Sequence, residues 1–179
     1  MMYLIIGGSG SGKSAYAEEL LFSLPDAGKK YYIATMQVCD EESRRRVQKH
    51  RKQREGKRFY TIEQPVHVSG ALTQMGAGKK SAMLECVSNL VANEMFREDG
   101  FHPEVAEKIT EGVKTLLSQA KHVVIVTNEI FSDGILYGEE SEQYKKELGQ
   151  INQKLAELAE EVVEVVYGIP VWHKGGKKA

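Results

Sequence analysis

Residues 7–14 read Gly7-Gly8-Ser9-Gly10-Ser11-Gly12-Lys13-Ser14 and match the phosphate-binding pattern G-x-x-x-x-G-K-[ST] without departure. The apolar run Tyr3-Leu4-Ile5-Ile6 precedes them, as expected of a parallel strand that is buried on both faces. Apolar residues then recur at helical spacing, at Ala17, Leu20, Leu21 and Leu24. Because a buried strand leads into the loop and a helix leaves it, we interpret the stretch as a P-loop that binds a nucleoside triphosphate.

The composition of this loop suits a bound triphosphate. Its glycines let backbone N–H groups converge on phosphate oxygens, and the following helix adds the partial positive charge of its N-terminus. Lys13 is predicted to reach the β- and γ-phosphates and to act in catalysis, and the Ser14 hydroxyl is predicted to ligate Mg²⁺. All eight residues, from Gly7 to Ser14, are predicted to bind the nucleotide.

Glu85 is the predicted second protein ligand of the magnesium ion. It follows the apolar run Ala82-Met83-Leu84, which reads as a strand, so it lies at the carboxyl end of that strand. Ligands of open parallel sheets bind at this edge. A solvated acid without a metal is the alternative interpretation of the same position.

Strand and helix patterns alternate along the chain, which predicts an α/β fold with a mostly parallel sheet and helices on both faces. The strongest strand signal, Val-Val-Ile-Val, lies within residues 122–127. The last strands are expected at residues 162–167 and 169–172. We expect one nucleotide-binding domain over residues 1–173 and a flexible basic tail over residues 174–179.

Composition places the chain among ordinary soluble proteins. Of its 179 residues, 41% are hydrophobic and 27% are charged, and the formal net charge is −1. This balance gives no sign that nucleic acid or a membrane surface is a partner. No secretory core or membrane span is visible, and Cys39 and Cys86 lack metal-ligand spacing, so we expect reduced, buried thiols in a cytoplasmic protein.

A dense run of positive charge occupies residues 44–54, Arg44-Arg45-Arg46-Val47-Gln48-Lys49-His50-Arg51-Lys52-Gln53-Arg54. On charge alone, this run can be a solvated helix face, a nucleic-acid patch or a site for a highly charged phosphate ligand. Aromatic residues, which single-strand binding would favour, are absent from it. With a triphosphate nearby, His50 becomes a candidate nucleophile toward phosphorus.

Several short motifs follow one another along nearly the whole chain. Behind the P-loop and Ala17-Glu18 they are Tyr32-Ile33-Ala34-Thr35, Arg46-Val47-Gln48-Lys49-His50-Arg51, Thr61-Ile62-Glu63, Leu84-Glu85-Cys86, Val126-Thr127-Asn128-Glu129 and Gly149-Gln150-Ile151-Asn152-Gln153. Together and in this order they resemble the bifunctional adenosylcobinamide kinase/adenosylcobinamide-phosphate guanylyltransferases of cobalamin biosynthesis. Each motif is short, but their joint occurrence is specific.

The resemblance implies a RecA-like P-loop NTPase fold, a homotrimer and two reactions. ATP or GTP first gives its γ-phosphoryl group to the aminopropanol hydroxyl of adenosylcobinamide. GTP then donates GMP to the new phosphate through a covalent guanylyl-enzyme. The resemblance also implies which residues surround the guanine nucleotide, namely Ala34, Thr35, Met36, Arg51, Lys52, Gln53, Glu63 and Glu85.

Three segments depart from the family pattern. Where the family has a histidine doublet, this chain has Lys49-His50, so His50 is the nucleophile, or Lys49 forms a phosphoramidate, or the covalent step is lost. Gly10 stands where the family has an arginine in the loop. The family's segment after Asn128-Glu129 is usually rich in Val, Gly and Pro, but here it reads Ile130-Phe131-Ser132-Asp133-Gly134-Ile135-Leu136-Tyr137-Gly138. In the following helix, Lys145-Lys146 replaces an Arg-Asp pair.

These departures keep two other functions open beside the bifunctional cobinamide enzyme. One is a divergent P-loop kinase that acts on another small hydroxyl compound, which the altered segment after Glu129 favours. The other is a nucleotide-binding module without enzymatic activity, which the altered motifs outside the P-loop favour. The backbone contacts of a P-loop do not read the base, so the choice between ATP and GTP is not predicted.

Overall fold

The computed structural model describes residues 1–38, 40–53, 56–132, 134 and 138–176, and of Arg46, Lys49, His50 and Gln53 it describes the backbone alone. The strands are β1 (Met2–Gly7), β2 (Lys29–Ala34), β3 (Phe59–Glu63), β4 (Lys80–Glu85), β5 (Phe96–Arg97), β6 (Gly100–Phe101), β7 (Val123–Asn128), β8 (Glu161–Val166) and β9 (Ile169–Lys174). The helices are α1 (Lys13–Ser23), α2 (Glu41–Gln53), α3 (Val87–Met95), α4 (Ala106–Gln119) and α5 (Glu139–Leu158), with a 3-10 helix at Val68–Gln74.

The main sheet of the described residues has seven strands in the order β3-β2-β4-β7-β1-β8-β9. Within this sheet, neighbouring strands from β3 at one edge through β2, β4, β7 and β1 to β8 run parallel. The last strand, β9, pairs antiparallel with β8. Strand β7 therefore lies between β1 and β4, although it follows both in the chain. The mostly parallel α/β sheet expected from the sequence is confirmed.

Side chains on both faces of the sheet are buried, which explains why its central strands are continuously apolar. In β7, Val123 and Ile125 pack with the buried faces of α3, α4 and α5, whereas Val124 and Val126 pack with α1. The helices therefore cover both faces, as the alternating pattern predicts. Two clusters of apolar side chains, one on each face, hold the sheet rigid beneath the ends of its strands.

The sequence does not predict the shortest helix and strands. The 3-10 helix and the two-residue strands β5 and β6 offer too few residues for a period to be seen. Strand β9 extends to Lys174, the first residue of the expected tail, and the Lys174 ammonium donates to the carbonyl oxygens of Ala156 and Glu157 at 2.9 Å each. Residues 177–179 of that tail lie outside the described residues.

The structure can be compared with two further expectations, the buried reduced thiols and the lack of a membrane span. Cys86 is a buried free thiol, as predicted, and Cys39 lies outside the described residues. Within the described ranges, none of the helices combines the length and the apolar character that crossing a membrane requires.

A buried carboxylate joins α5 to the start of α4. Glu147 of α5 is only 4% exposed, and its Oε2 accepts hydrogen bonds from the backbone N–H groups of Val105 and Ala106 at 2.8 Å each. The first turn of a helix leaves its N–H groups without partners inside the helix. Because Val105 at the N-cap makes no side-chain cap, Glu147 supplies this cap from another helix.

We predict that Glu147→Ala lowers the free energy of unfolding by about 1–3 kcal/mol, because it leaves two buried N–H groups without an acceptor. Urea denaturation followed by circular dichroism measures this loss. Glu157→Ala, which removes an exposed carboxylate from the same helix, is the control and should change the free energy by less than about 0.5 kcal/mol. Equal losses in the two variants would contradict the capping role.

Candidate functional site

The P-loop runs from the end of β1 to the first turn of α1, as its sequence predicts. Gly10 has φ of 74° and Gly12 has φ of 92°, a left-handed conformation that residues with a side chain rarely adopt. These two glycines turn the chain tightly enough for α1 to begin at Lys13. The N-terminus of α1 thus faces the carboxyl edge of the sheet, where its partial positive charge favours an anion.

Two distant segments hold the loop in place. The Ser11 carbonyl oxygen accepts a hydrogen bond from the Gly168 N–H at 2.8 Å, in the turn between β8 and β9. The Gly7 carbonyl oxygen accepts one from the Glu129 N–H at 3.1 Å, just after β7. Sequence analysis did not find the Gly168 contact, because nothing local in residues 167–168 indicates that their turn abuts the loop.

Lys13 lies across the loop with its side chain largely buried. Its Nζ donates a hydrogen bond to the Gly8 carbonyl oxygen at 3.0 Å. Burial lowers the pKa of Lys13 from the ordinary lysine value, and the charge of the Glu85 carboxylate opposes this shift. A buried ammonium group has lost much of its hydration, so a polyanion placed beside it restores favourable interactions.

Ser14 and Glu85 meet at the carboxyl edge of the sheet. The Ser14 hydroxyl, at the start of α1, donates to Oε1 of Glu85 at 2.5 Å, although the two residues are 71 positions apart. Glu85 ends β4, the position that the sequence predicts. A hydroxyl and a carboxylate are hard oxygen donors of the kind that Mg²⁺ prefers, and Mg²⁺ takes its remaining ligands from phosphates and water. The pair therefore fits the predicted magnesium site.

The described residues contain no cluster of three or more acids, histidines or cysteines that could hold a metal by itself. A single carboxylate with a hydroxyl would bind Mg²⁺ weakly unless phosphate oxygens completed its coordination. The metal is thus expected to arrive with the nucleotide.

A cleft of about 820 Å³ opens above this edge. Predicted nucleotide-binding residues make up much of its lining: Ser9, Gly10, Ser11, Gly12, Lys13, Ser14, Ala34, Met36, Arg51, Glu63 and Glu85. Residues that the sequence did not assign also line it, among them Tyr32, Val47, Pro65, Asn89, Glu98 and Asn128. The cleft therefore combines the P-loop, the ends of β2, β3, β4 and β7, and one face of α2.

Several predicted residues lie elsewhere. Thr35 is fully buried, and its Oγ1 donates to the Cys86 carbonyl oxygen at 2.8 Å and accepts from the Cys86 N–H at 2.7 Å. It therefore supports the chain beside Glu85 and does not line the cleft. Lys52 is exposed on α2 and is not part of the lining, and the side chains of Lys49, His50 and Gln53 lie outside the described residues.

An ion pair joins α2 to the edge strand β3 across the mouth of the cleft. Arg51 Nη2 donates to Glu63 Oε1 at 2.8 Å, and both side chains are more than half exposed. An exposed pair of this kind contributes only about 0–1 kcal/mol. Arg51 can therefore exchange Glu63 for a phosphate group at little cost.

Asn128 is the cleft residue that sequence analysis could have assigned. It follows the strongest strand signal of the chain and ends β7, next to the P-loop strand. The rule that predicted Glu85, a polar residue at the carboxyl end of a buried strand, applies equally to Asn128. The strand order that makes it a neighbour of both Gly7 and β4 is visible only in the folded chain.

Known proteins resemble this chain in both sequence and fold. The family model described as cobinamide kinase/cobinamide phosphate guanyltransferase matches residues 3–172. The bifunctional adenosylcobalamin biosynthesis protein CobU of Salmonella typhimurium is 33% identical, over 96% of this chain and 98% of its own length. CobP of Pseudomonas aeruginosa, described by the same words, is 31% identical over 98% of each chain.

Similarity of fold extends to a more distant protein. A solved ATPase domain superposes with a TM-score of 0.50 at 10% sequence identity, covering 91% of this chain and 68% of its own. Identity this low supports the fold alone, which is that of the P-loop NTPases. The match over residues 3–172 and the near full-length relatives together show that this chain belongs to the cobinamide kinase/cobinamide phosphate guanyltransferase family.

Proposed function

We propose that the protein is an enzyme that phosphorylates adenosylcobinamide with ATP or GTP and then transfers GMP from GTP to adenosylcobinamide phosphate. The observation that carries this proposal is the family match over residues 3–172, joined to a P-loop whose lysine bonds to Gly8 and whose serine donates to Glu85. The substrates are thus two nucleotides and a corrinoid with a free hydroxyl group.

The kinase step uses the loop and its two neighbours. Backbone N–H groups of the loop and the N-terminus of α1 bind the phosphates, while Lys13 places its charge beside the β- and γ-phosphates. Ser14 and Glu85 would hold Mg²⁺, which would neutralise part of the negative charge of the phosphates. The acceptor hydroxyl oxygen then bonds to the γ-phosphorus, the bond to the β-phosphate oxygen breaks, and the hydroxyl proton is lost.

The guanylyl step attacks a different phosphorus atom. A side-chain nitrogen of α2 bonds to the α-phosphorus of GTP, and pyrophosphate leaves. A phosphate oxygen of adenosylcobinamide phosphate then attacks the same phosphorus, which releases the side chain and yields adenosylcobinamide-GDP. Arg51, which already lines the cleft, would hold the leaving pyrophosphate.

The phase of α2 favours His50 over Lys49 as that nucleophile. Val47 and Arg51 line the cleft and thus mark the face of α2 that turns toward it. At about 100° per residue, position 50 lies about 80° from the middle of that face, whereas position 49 lies about 180° away. Helical geometry therefore supports residue 50, which is nearer to the cleft side of α2, over residue 49 on the opposite side.

The other untested expectations stay predictions. They are the homotrimer, the cytoplasmic location and the single domain over residues 1–173. The departure at Gly10 has a local consequence, since its left-handed backbone suits glycine and would disfavour the arginine of the family pattern. In place of this arginine, Lys13 and the positively charged residues of α2 would neutralise the charge of the phosphates.

We predict that the protein converts adenosylcobinamide, ATP and GTP in the presence of Mg²⁺ into adenosylcobinamide-GDP. Mass spectrometry of the products separates the two steps, because adenosylcobinamide with ATP but without GTP should yield only adenosylcobinamide phosphate. Turnover of triphosphate with another acceptor, or with none, would contradict the proposal. The Lys13→Ala variant, which lacks the P-loop lysine, is the inactive control and should form neither product.

The magnesium pair gives a second prediction. Ser14→Ala and Glu85→Gln should each lower kcat of the kinase step about 10- to 100-fold and raise the Mg²⁺ concentration needed for half-maximal rate. A Mg²⁺ titration of the rate measures both effects. Glu19→Gln, at an exposed position of α1, is the matched control and should behave as the unsubstituted protein. An unchanged Mg²⁺ requirement in the first two variants would exclude their role as ligands.

The covalent step gives a third prediction. After incubation with α-labelled GTP, His50→Ala should carry no label, whereas Lys49→Ala should be labelled like the unsubstituted protein, because position 50 is the one nearer to the cleft side of α2. Peptide mapping by mass spectrometry locates the label. A label on Lys49, or retention of the label in His50→Ala, would refute the assignment.

A further inference from the structure

Asn128 occupies the centre of the carboxyl edge of the sheet. It ends β7, the strand between β1 and β4, and it pairs in register with Gly7, the first residue of the P-loop. On the other side of β7, Glu85 pairs with Val126. Asn128 lines the cleft together with the loop and Glu85. It is therefore placed between the parts of the chain that would hold the phosphates and the metal.

A hydrogen-bond network fixes the orientation of this carboxamide. Asn128 Nδ2 donates to Ser88 Oγ at 2.7 Å, at the start of α3. Ser88 is buried, its Oγ lies 3.1 Å from Cys86 Sγ, and its carbonyl oxygen accepts from the Tyr144 hydroxyl at 3.1 Å. A carboxamide has two N–H donors, so the bond to Ser88 leaves the second one for a ligand in the cleft.

Thr127, the residue before Asn128, anchors the end of β7 to helix α5. Thr127 is fully buried, and its hydroxyl donates to Asn152 Oδ1 of α5 at 2.8 Å. This bond ties the end of β7 to the helix beneath it. Thr127 thus anchors the end of β7 to α5, whereas Asn128, the last residue of the strand, bonds to the start of α3 and lines the cleft.

We propose that Asn128 donates a hydrogen bond to a γ-phosphoryl oxygen of the bound triphosphate, and that Ser88 positions it for this contact. The proposal rests on the kinase step described above and names a residue for it. As the bond between the γ-phosphorus and the β-phosphate oxygen breaks and the acceptor oxygen bonds, negative charge lies on the equatorial γ-oxygens. A preoriented N–H group stabilises this charge without reorganising. Asn128 exchanges no proton and is unchanged at the end.

The contact predicts selectivity for triphosphate over diphosphate. Asn128→Ala should weaken binding of a non-hydrolysable GTP analogue about 10-fold or more relative to GDP, whose affinity should change less than about 3-fold. Isothermal titration calorimetry in Mg²⁺ measures both affinities. The kcat for adenosylcobinamide phosphorylation should fall about 100- to 1,000-fold.

Asn89→Ala is the matched control, because it removes a carboxamide from the same cleft at α3. It should change the two affinities by the same factor. A change of equal size in the affinity ratio of Asn89→Ala, or an unchanged ratio in Asn128→Ala, would overturn the proposal. The ratio of the affinities for the GTP analogue and for GDP is measured without a corrinoid, so this test does not depend on the identity of the acceptor. If the protein shows the expected ratio but does not phosphorylate adenosylcobinamide, only the proposed substrate is disproved.

Ser88 supplies the test of positioning. Ser88→Ala should lower the affinity ratio and kcat about 3- to 10-fold, less than Asn128→Ala, and Ser88→Thr, which keeps the hydroxyl, should restore both. A merely structural role for Ser88 would lower the unfolding temperature and leave the ratio unchanged, which would contradict the assignment. Should Asn128→Ala fail to fold, the comparison of Ser88→Ala with Ser88→Thr decides.

Discussion

The parallel register of β4, β7 and β1 is the constraint on which the site depends. It brings the ends of three strands, separated by many residues in the chain, to one edge of the sheet. Glu85, Asn128 and the P-loop become neighbours for this reason alone. The buried apolar side chains on both faces hold the register, because a slip would disrupt their close packing against the helices on both sides. The chemistry at the edge is thus supported by hydrophobic packing below it.

Among the described residues, different contacts hold the phosphate-binding part and the α2 part of the cleft. The loop is tied down by hydrogen bonds to Gly168 and to Glu129, and Lys13 is buried against it. Among the described side chains, Arg51 of α2 forms an exposed ion pair with Glu63 of β3. A rigid loop suits preorganised phosphate binding.

Buried polar residues support the phosphate-binding side of the cleft. Thr35 binds both backbone groups of Cys86 and so fixes the chain after Glu85, while Ser88 holds Asn128. Each is a small hydroxyl side chain that satisfies groups which burial would otherwise leave without partners. The resemblance placed Thr35 beside the nucleotide, and the structure shows why such a residue stays close to the site without lining it. Its contact is with the backbone of Cys86, the residue that follows Glu85, the proposed metal ligand.

The sequence by itself determined the α/β class, the P-loop and the position of Glu85 at a strand end, because each depends on a local pattern of apolar period or glycine spacing. The family followed from the joint order of its short motifs. Only the tertiary structure decided that β7 lies between β1 and β4, that the turn at Gly168 supports the loop, that Glu147 caps α4, and that Asn128 faces the cleft. These features are contacts between residues far apart in the chain, so they leave no local period from which they could be read.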